Sequence, residues 1–206
     1  MSKNTGVIIL AGGQSRRMGT EKALLKFEKD GLTLLEMVVE AARPVASAGI
    51  VLVTNQPEKY EFLKPSLSVV VDNQPGGGPL AGLEAGIEAL TAQQYLLLAC
   101  DMPFVRTELL KGLVEWEEEG KSRDALVPLN PEGLPEPLCA LYNARVLAVV
   151  KEHLGEHRYK MSDFLASIVT RYLVGIELEQ YDPALRSFLN FNTPADFERY
   201  KAVFSK

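Results

Sequence analysis

Residues Leu10 to Lys22 read LAGGQSRRMGTEK, and the residue types in this stretch suit one kind of chemistry. Gly12 and Gly13 permit backbone conformations and close approaches that a β-carbon would block. Successive N–H groups can then meet phosphate oxygens. Arg16, Arg17 and Lys22 add three cations, opposed within the stretch only by Glu21. A multiply charged anion is the natural ligand. Two common phosphate patterns are absent. Gly19 is followed by Thr20 where GxxxxGK[ST] needs lysine, and Gly12-Gly13 with a distant Gly19 does not make GxGxxG. The competing reading is a glycine-rich turn carrying solvated basic side chains.

Two further segments carry candidate carboxylates. Asp72 is followed by Asn73-Gln74-Pro75-Gly76 and then by Gly78-Pro79-Leu80-Ala81-Gly82. Turn chemistry alone could explain that aspartate. Asp101 stands in Ala99-Cys100-Asp101-Met102-Pro103. Its structural alternative, a cap for a helix near Thr107, fits poorly because Pro103 and Val105 intervene.

The elements that must position these segments follow from hydrophobic pattern. Val7–Leu10, Ile50–Val53, Val69–Val71 and Tyr95–Cys100 are short apolar runs of the kind buried on both faces of a parallel sheet. Helical stripes are predicted from Thr33 to Ala48, with Gly49 as terminator, and from Leu80 to Leu90 after Pro79. A third runs from Thr107 to Glu119, with Trp116 on its core side and Glu115 to Glu119 as a solvated face. Ala125–Pro128 and Leu138–Tyr142 read as strands; Val146–Leu154 and Met161–Ile168 read as helices. Thr193-Pro194-Ala195-Asp196 is a helix start. Alternating strands and helices predict one α/β domain over residues 1–206, three layers deep, around a mostly parallel sheet. In such sheets ligands bind beyond the carboxyl ends of the strands, where the three segments above would meet.

Composition sets the frame. With 206 residues, 47% hydrophobic and 24% charged, the chain is average for a soluble globular protein. A net charge of −5 argues against nucleic acid as the main partner. No apolar run nears the roughly 20 residues that span a bilayer, and the amino terminus does not read as a secretory signal. Cys100 and Cys139 lack CxxC partners and read as buried thiols of a reducing cytoplasm. His153 and His157, the only histidines, read as polar surface or capping residues at a helix end.

LAGGQSRRMGTEK resembles the LAGGxSxRMGxxK signature of nucleotidyltransferases built on a Rossmann-like sheet, of nucleotide-diphospho-sugar transferase type. The closest resemblance is to the molybdenum cofactor guanylyltransferases, since the cytidylyl enzymes usually begin LAAG where this chain has Gly12. Asp72 with GPLAG, the CDMP element at Asp101, Pro137–Tyr142 and Asn190-Phe191-Asn192-Thr193-Pro194 are similar to later elements of that family, in the same order. The match spans roughly residues 6 to 200; from Tyr172 to Leu189 no motif is recognisable.

The resemblance implies transfer of GMP from GTP to molybdopterin with Mg²⁺ as cofactor. Residues 1–105 would bind nucleotide and residues 106–206 the acceptor. Leu10, Ala11, Gly12, Gly13, Asn55, Asp72 and Gly82 would line the nucleotide site. Lys22 would sit on the phosphates and Asp101 would hold the metal. Arg17, rather than Arg16, matches the family's arginine and would act with Lys22 and Asp101 in catalysis. Asn190 and Asn192 would lie near the acceptor, with Arg158 and Lys160 as weaker contacts. The partners implied are GTP, molybdopterin and, transiently, other cofactor-biosynthesis or acceptor proteins; nucleic acid and membrane are not among them. Two alternatives stay open: a cytidylyltransferase or other nucleotidyltransferase on a phosphorylated acceptor, and a nucleotide-binding carrier without turnover.

Overall fold

A computed structural model describes residues 3–12, 22–63, 67–72, 74, 76–116, 122–189, 196–198 and 200. The apolar runs become strands β1 (Thr5–Leu10), β2 (Gly49–Val53), β3 (Ser68–Val70), β4 (Gln94–Ala99), β5 (Ala125–Pro128), β6 (Cys139–Asn143) and β7 (Thr170–Leu173). The helices are α1 (Leu34–Ala42), α2 (Gly78–Ala89), α3 (Thr107–Glu115), α4 (Leu147–Gly155), α5 (Met161–Ala166) and the single turn α6 (Gly175–Leu178). The strands form one seven-stranded sheet in the order β3-β2-β1-β4-β6-β5-β7. β6 runs antiparallel to β4 and β5, and every other pairing is parallel.

Both faces are covered, which is why the strands read as unbroken apolar runs. Val7, Ile9, Leu52 and Leu98 pack with Leu35 and Val38 of α1 and Leu109 and Leu113 of α3. Ile8, Val51 and Leu97 point the other way, onto Leu80 and Leu83 of α2, Val150 of α4 and Phe164 of α5. The expected three-layer α/β architecture is therefore present. No helix among the described residues is long and apolar enough to cross a membrane.

Local chemistry fixes the key boundaries. Thr33 caps α1 through a capping box: its hydroxyl accepts from the Glu36 N–H at 3.1 Å while Glu36 accepts from the Thr33 N–H at 2.7 Å. The helix tightens into a 3-10 turn at Arg43–Val45. Gly49 is thus not its terminator; with φ +118° it opens β2, a conformation that favours glycine. α3 stops at Glu115, so residues 117–119 of the expected helix and acidic face lie outside the described residues, as does the Thr193 helix start. Trp116 is half-buried against the core, as expected. β7 and α6 fall where no element was predicted, at least in part because Arg171 and Tyr172 interrupt the apolar pattern of a short edge strand.

Two single-residue expectations need correction. His153 is fully buried, not a surface residue, because it lies on the inward stripe of α4 with Val150 and Leu154. Its Nε2 is 2.9 Å from the Ser167 hydroxyl, which itself donates to the Phe164 carbonyl at 2.7 Å. Among the described residues Nδ1 has no hydrogen-bond partner. Of the two cysteines, only Cys139 is buried. Cys100 is half-buried because it stands past the end of β4, at the sheet edge.

Candidate functional site

β1, β2, β3, β4 and β5 all end at one edge of the sheet, and backbone hydrogen bonds carry the ladder beyond them. Ala11 N–H donates to the Val53 carbonyl at 2.9 Å, Thr54 N–H to Val70 at 3.0 Å and Cys100 N–H to Leu10 at 3.1 Å. Leu10, Ala11 and Gly12, Asn55, Asp72 and Asp101 therefore gather along this edge. Ala11 is buried and Gly12 and Asn55 are exposed. Gly13, Arg16, Arg17, Asn190 and Asn192 lie outside the described residues.

Lys22 and Asp101, 79 positions apart, are brought into contact: the Lys22 ammonium lies 2.8 Å from Asp101 Oδ2. Lys22 opens a 3-10 turn, Lys22–Leu24, whose Ala23 is buried in the core. Leu25 N–H closes that turn onto the Lys22 carbonyl, and Leu34 N–H returns to Leu25. A bridge between Lys26 and Thr33 then fixes the segment to the head of α1. The lysine is only 9% exposed. A buried ammonium requires a counter-charge, which Asp101 supplies. Asp101 itself is held by its neighbours: Met102 is buried, and Val105 N–H bonds to the Met102 carbonyl at 3.0 Å. It does not cap α3, whose N-cap is Arg106.

Glu136, in the loop that leads into β6, is a residue the sequence does not single out, yet the fold brings it near Asp101. β4 and β6 pair Leu98 with Cys139, and Ala99 N–H donates to the Leu138 carbonyl at 2.9 Å. Beyond that pairing the chain turns, Cys139 N–H donating to the Glu136 carbonyl at 3.0 Å, and this leaves Glu136 near enough to Asp101 to feel its charge. The Glu136 carboxylate accepts from the Asn130 side-chain amide at 2.9 Å. Asn130 also accepts from the N–H groups of Glu132 and Leu134, so one side chain shapes the loop between β5 and β6. Burial pushes the Glu136 pKa up, the Asn130 hydrogen bond pulls it down, and the charges of Asp101 and Glu132 push it up further. The signal that could have found it is its place just before β6, whose antiparallel pairing with β4 returns the chain to the edge where β4 ends.

The other predicted residues are placed less directly. Asp72 accepts from the Gln74 N–H at 2.8 Å, the side-chain turn that competed with a ligand role. Gly82 sits inside α2, where an added β-carbon would stand 2.6 Å from Leu10 Cδ2. It touches the edge through Leu10. α2 begins at this edge with Gly77 as N-cap, Pro79 in the first turn and no side-chain cap. Its amide dipoles thus favour an anion there. Arg158 is engaged with Glu156 at 2.6 Å and Glu152 at 3.7 Å, and Lys160 is exposed at the N-cap of α5. Among the described residues, no three acidic, histidine or cysteine side chains gather into a metal cage.

This geometry has relatives. Residues 7–171 match the family model described as the MobA-like NTP transferase domain. The "Probable molybdenum cofactor guanylyltransferase" of Natranaerobius thermophilus is 33% identical over 208 residues, covering 100% of this chain and 99% of that protein. Its namesake from Carboxydothermus hydrogenoformans is 36% identical over 203 residues, covering 98% of each. Among solved structures, molybdopterin-guanine dinucleotide biosynthesis protein A from Archaeoglobus fulgidus superimposes with a TM-score of 0.79 at 29% identity, covering 98% of each chain.

Proposed function

The chain belongs to the MobA-like NTP transferase family, and from that membership we propose that it transfers GMP from GTP to molybdopterin, releasing pyrophosphate. The observation that carries this reading is the Lys22–Asp101 contact at the strand-end edge, in a chain whose full-length relatives bear the guanylyltransferase name.

The acceptor's terminal phosphate would attack the α-phosphorus of GTP. A new P–O bond forms as the bond from the α-phosphorus to the bridging oxygen breaks, and the electron pair leaves with pyrophosphate. The nucleophile is already anionic near neutral pH, so no strong general base is needed. Charge neutralisation and in-line placement are what the protein must supply. In this reading Lys22 and Arg17 stabilise the departing pyrophosphate. Leu10, Ala11, Gly12 and Gly13 carry the nucleotide against the end of β1, with Asn55 and Asp72 at its flank. Asn190 and Asn192 serve the acceptor.

Asp101 fits a Mg²⁺ ion. It offers a carboxylate at the open edge, and magnesium commonly binds through one or two carboxylates with substrate phosphates and waters rather than a protein cage. When bound, the ion would offset charge around the α-phosphate. Lys22 holds Asp101 oriented at 2.8 Å until phosphate oxygens draw the ammonium away. The buried Cys139 thiol suits a reducing cytoplasm.

Pyrophosphate release from GTP or CTP, with molybdopterin and Mg²⁺, tests the proposal. GTP should be the preferred donor. Preference for CTP would overturn the guanylyl assignment, and GTP binding without pyrophosphate release would make the chain a carrier.

A further inference from the structure

A small aromatic cluster stands apart from the two sheet faces, and it is built from the segments that carry Lys22 and Asp101. Phe27, five residues after Lys22, stacks on Phe104, three residues after Asp101, with ring centroids 5.6 Å apart and planes within 11°. Phe27 also stacks on Phe197 at 5.2 Å and 8°. Tyr200 meets Phe104 edge-on at 5.9 Å. Leu34, at the head of α1, is fully buried beneath them, with Leu25 and Met37 alongside. Among the described residues no strand residue takes part.

The two segments are therefore joined twice. One link is the ion pair at 2.8 Å; the other is the ring stack. Between the links each tether is short and bonded to itself: the 3-10 turn and the Lys26–Thr33 bridge on one side, the Met102–Val105 turn on the other. Stacked rings have a preferred offset and separation, so they restrict sliding as well as distance. Aliphatic packing of similar bulk would not.

We propose that Phe27, Phe104 and Phe197 are positioning residues of the transfer reaction, fixing the Lys22 ammonium relative to the Asp101 carboxylate and tying that pair to the carboxy-terminal segment. Phe197 gives the device its third arm. It lies five residues beyond Asn192, so the stack joins the half assigned to the nucleotide with the half assigned to the acceptor. This rests on the guanylyl-transfer reading above.

The test compares Phe104→Leu, Phe27→Leu and Phe197→Leu with Phe104→Tyr, which keeps the ring. Two readouts are taken: steady-state kinetics with GTP and molybdopterin, and the rate at which acetic anhydride labels Lys22, followed by peptide mass spectrometry. Leucine variants should lose about 10–100-fold in kcat, as misplacement by a fraction of an ångström to an ångström does. KM for GTP should rise less than kcat falls, since the Leu10–Gly12 end of β1 lies outside the cluster. Lys22 should label several times faster, and Phe104→Tyr should restore both values. In a Lys22→Ala background, Phe104→Leu should cost clearly less than it does alone, the remainder being the share carried by Asp101 and the carboxy-terminal segment. A rate loss additive with Lys22→Ala, or unchanged Lys22 labelling in leucine variants that remain folded by circular dichroism, overturns the proposal. If Phe104→Leu fails to fold, Phe197→Leu and Phe27→Leu carry the same comparison. If the wild type transfers nothing from GTP, the function reading falls, while the labelling comparison still decides the positioning role.

Discussion

The Lys22 ammonium sits 2.8 Å from Asp101 Oδ2, with the lysine side chain 11% exposed and the aspartate 28%. The two residues assigned to phosphate and to metal thus neutralise each other at the edge where β1 and β4 end. A triphosphate arriving with its cation would exchange partners with this pair rather than meet two unscreened charges. The site is in this sense charged and waiting, with its desolvation cost already met within the folded chain.

Removing one member should separate stability from activity. Lys22→Met or Asp101→Asn should each lower kcat by about 10²–10³, the scale of losing one electrostatic contact to the reacting groups. Each also strands its partner. For a fully buried pair that costs about 3–5 kcal/mol; with Asp101 partly solvated, about 1–3 kcal/mol is expected. The double variant should regain about half of that loss, because neither charge is then unpaired. It should regain no activity. Urea unfolding of the four proteins beside their pyrophosphate release checks both arms; recovery of turnover in the double variant would contradict the assignment.

Divalent-ion dependence gives a second expectation. Chelation with EDTA should abolish pyrophosphate release by the wild type, and added Mg²⁺ should restore it. In Asp101→Asn, restoration should require far higher Mg²⁺ or fail, while thermal stability without nucleotide stays insensitive to Mg²⁺ because no protein cage exists among the described residues. Full activity in EDTA would remove Asp101 from its metal role.

Two glycines of α2 distinguish packing from substrate contact. At Gly86 an added methyl would stand 2.5 Å from Ile8 Cγ2 and 2.7 Å from two further Ile8 atoms, in a fully buried position. Overpacking of about 1–3 kcal/mol there outweighs the roughly 1 kcal/mol of helix propensity gained by alanine. Gly86→Ala should therefore lower Tm by about 2–4 °C per kcal/mol lost, with KM for GTP unchanged. Gly82→Ala presses on Leu10 instead, a half-buried side chain at the open edge that can swing away. Its stability should change little, whereas KM for GTP should rise several-fold. Equal effects on KM would show that Gly82 does not act through Leu10.

Much of this was legible in sequence because the determinants are local. The end of β1 at Leu10 follows from its apolar run; the end of β4 and the start of α1 follow to within one residue, β4 stopping at Ala99 rather than Cys100. Placement of Lys22 and Asp101 on one edge followed from parallel strand order. Their direct contact did not, since it depends on how residues 22–34 fold back through Leu25 and Thr33. Glu136 was hidden for a related reason: only the antiparallel insertion of β6 puts it beside Asp101, and nothing in Pro135-Glu136-Pro137 announces that register. His153 was misread although its i, i+3, i+4 spacing with Val150 and Leu154 pointed inward.

Glu136 supplies the pH-dependent prediction. Burial, chiefly, raises its pKa in the folded protein. A carboxyl with a raised folded pKa favours the native state when protonated, so its contribution is present at acid pH and is lost as pH rises through the folded value. At neutral pH the ionised group therefore works against folding. Glu136→Gln removes that charge and keeps an oxygen to accept from Asn130. Its Tm should exceed that of the wild type at pH 7.5, by no more than a few degrees, because the group is only half-buried and solvent screens it. The gap should close as pH falls below the range in which Glu136 titrates. Differential scanning calorimetry from pH 4 to pH 8 reads this directly. A gap of the opposite sign at pH 7.5 would mean that ionised Glu136 is held by a cationic partner rather than destabilised by burial beside Asp101.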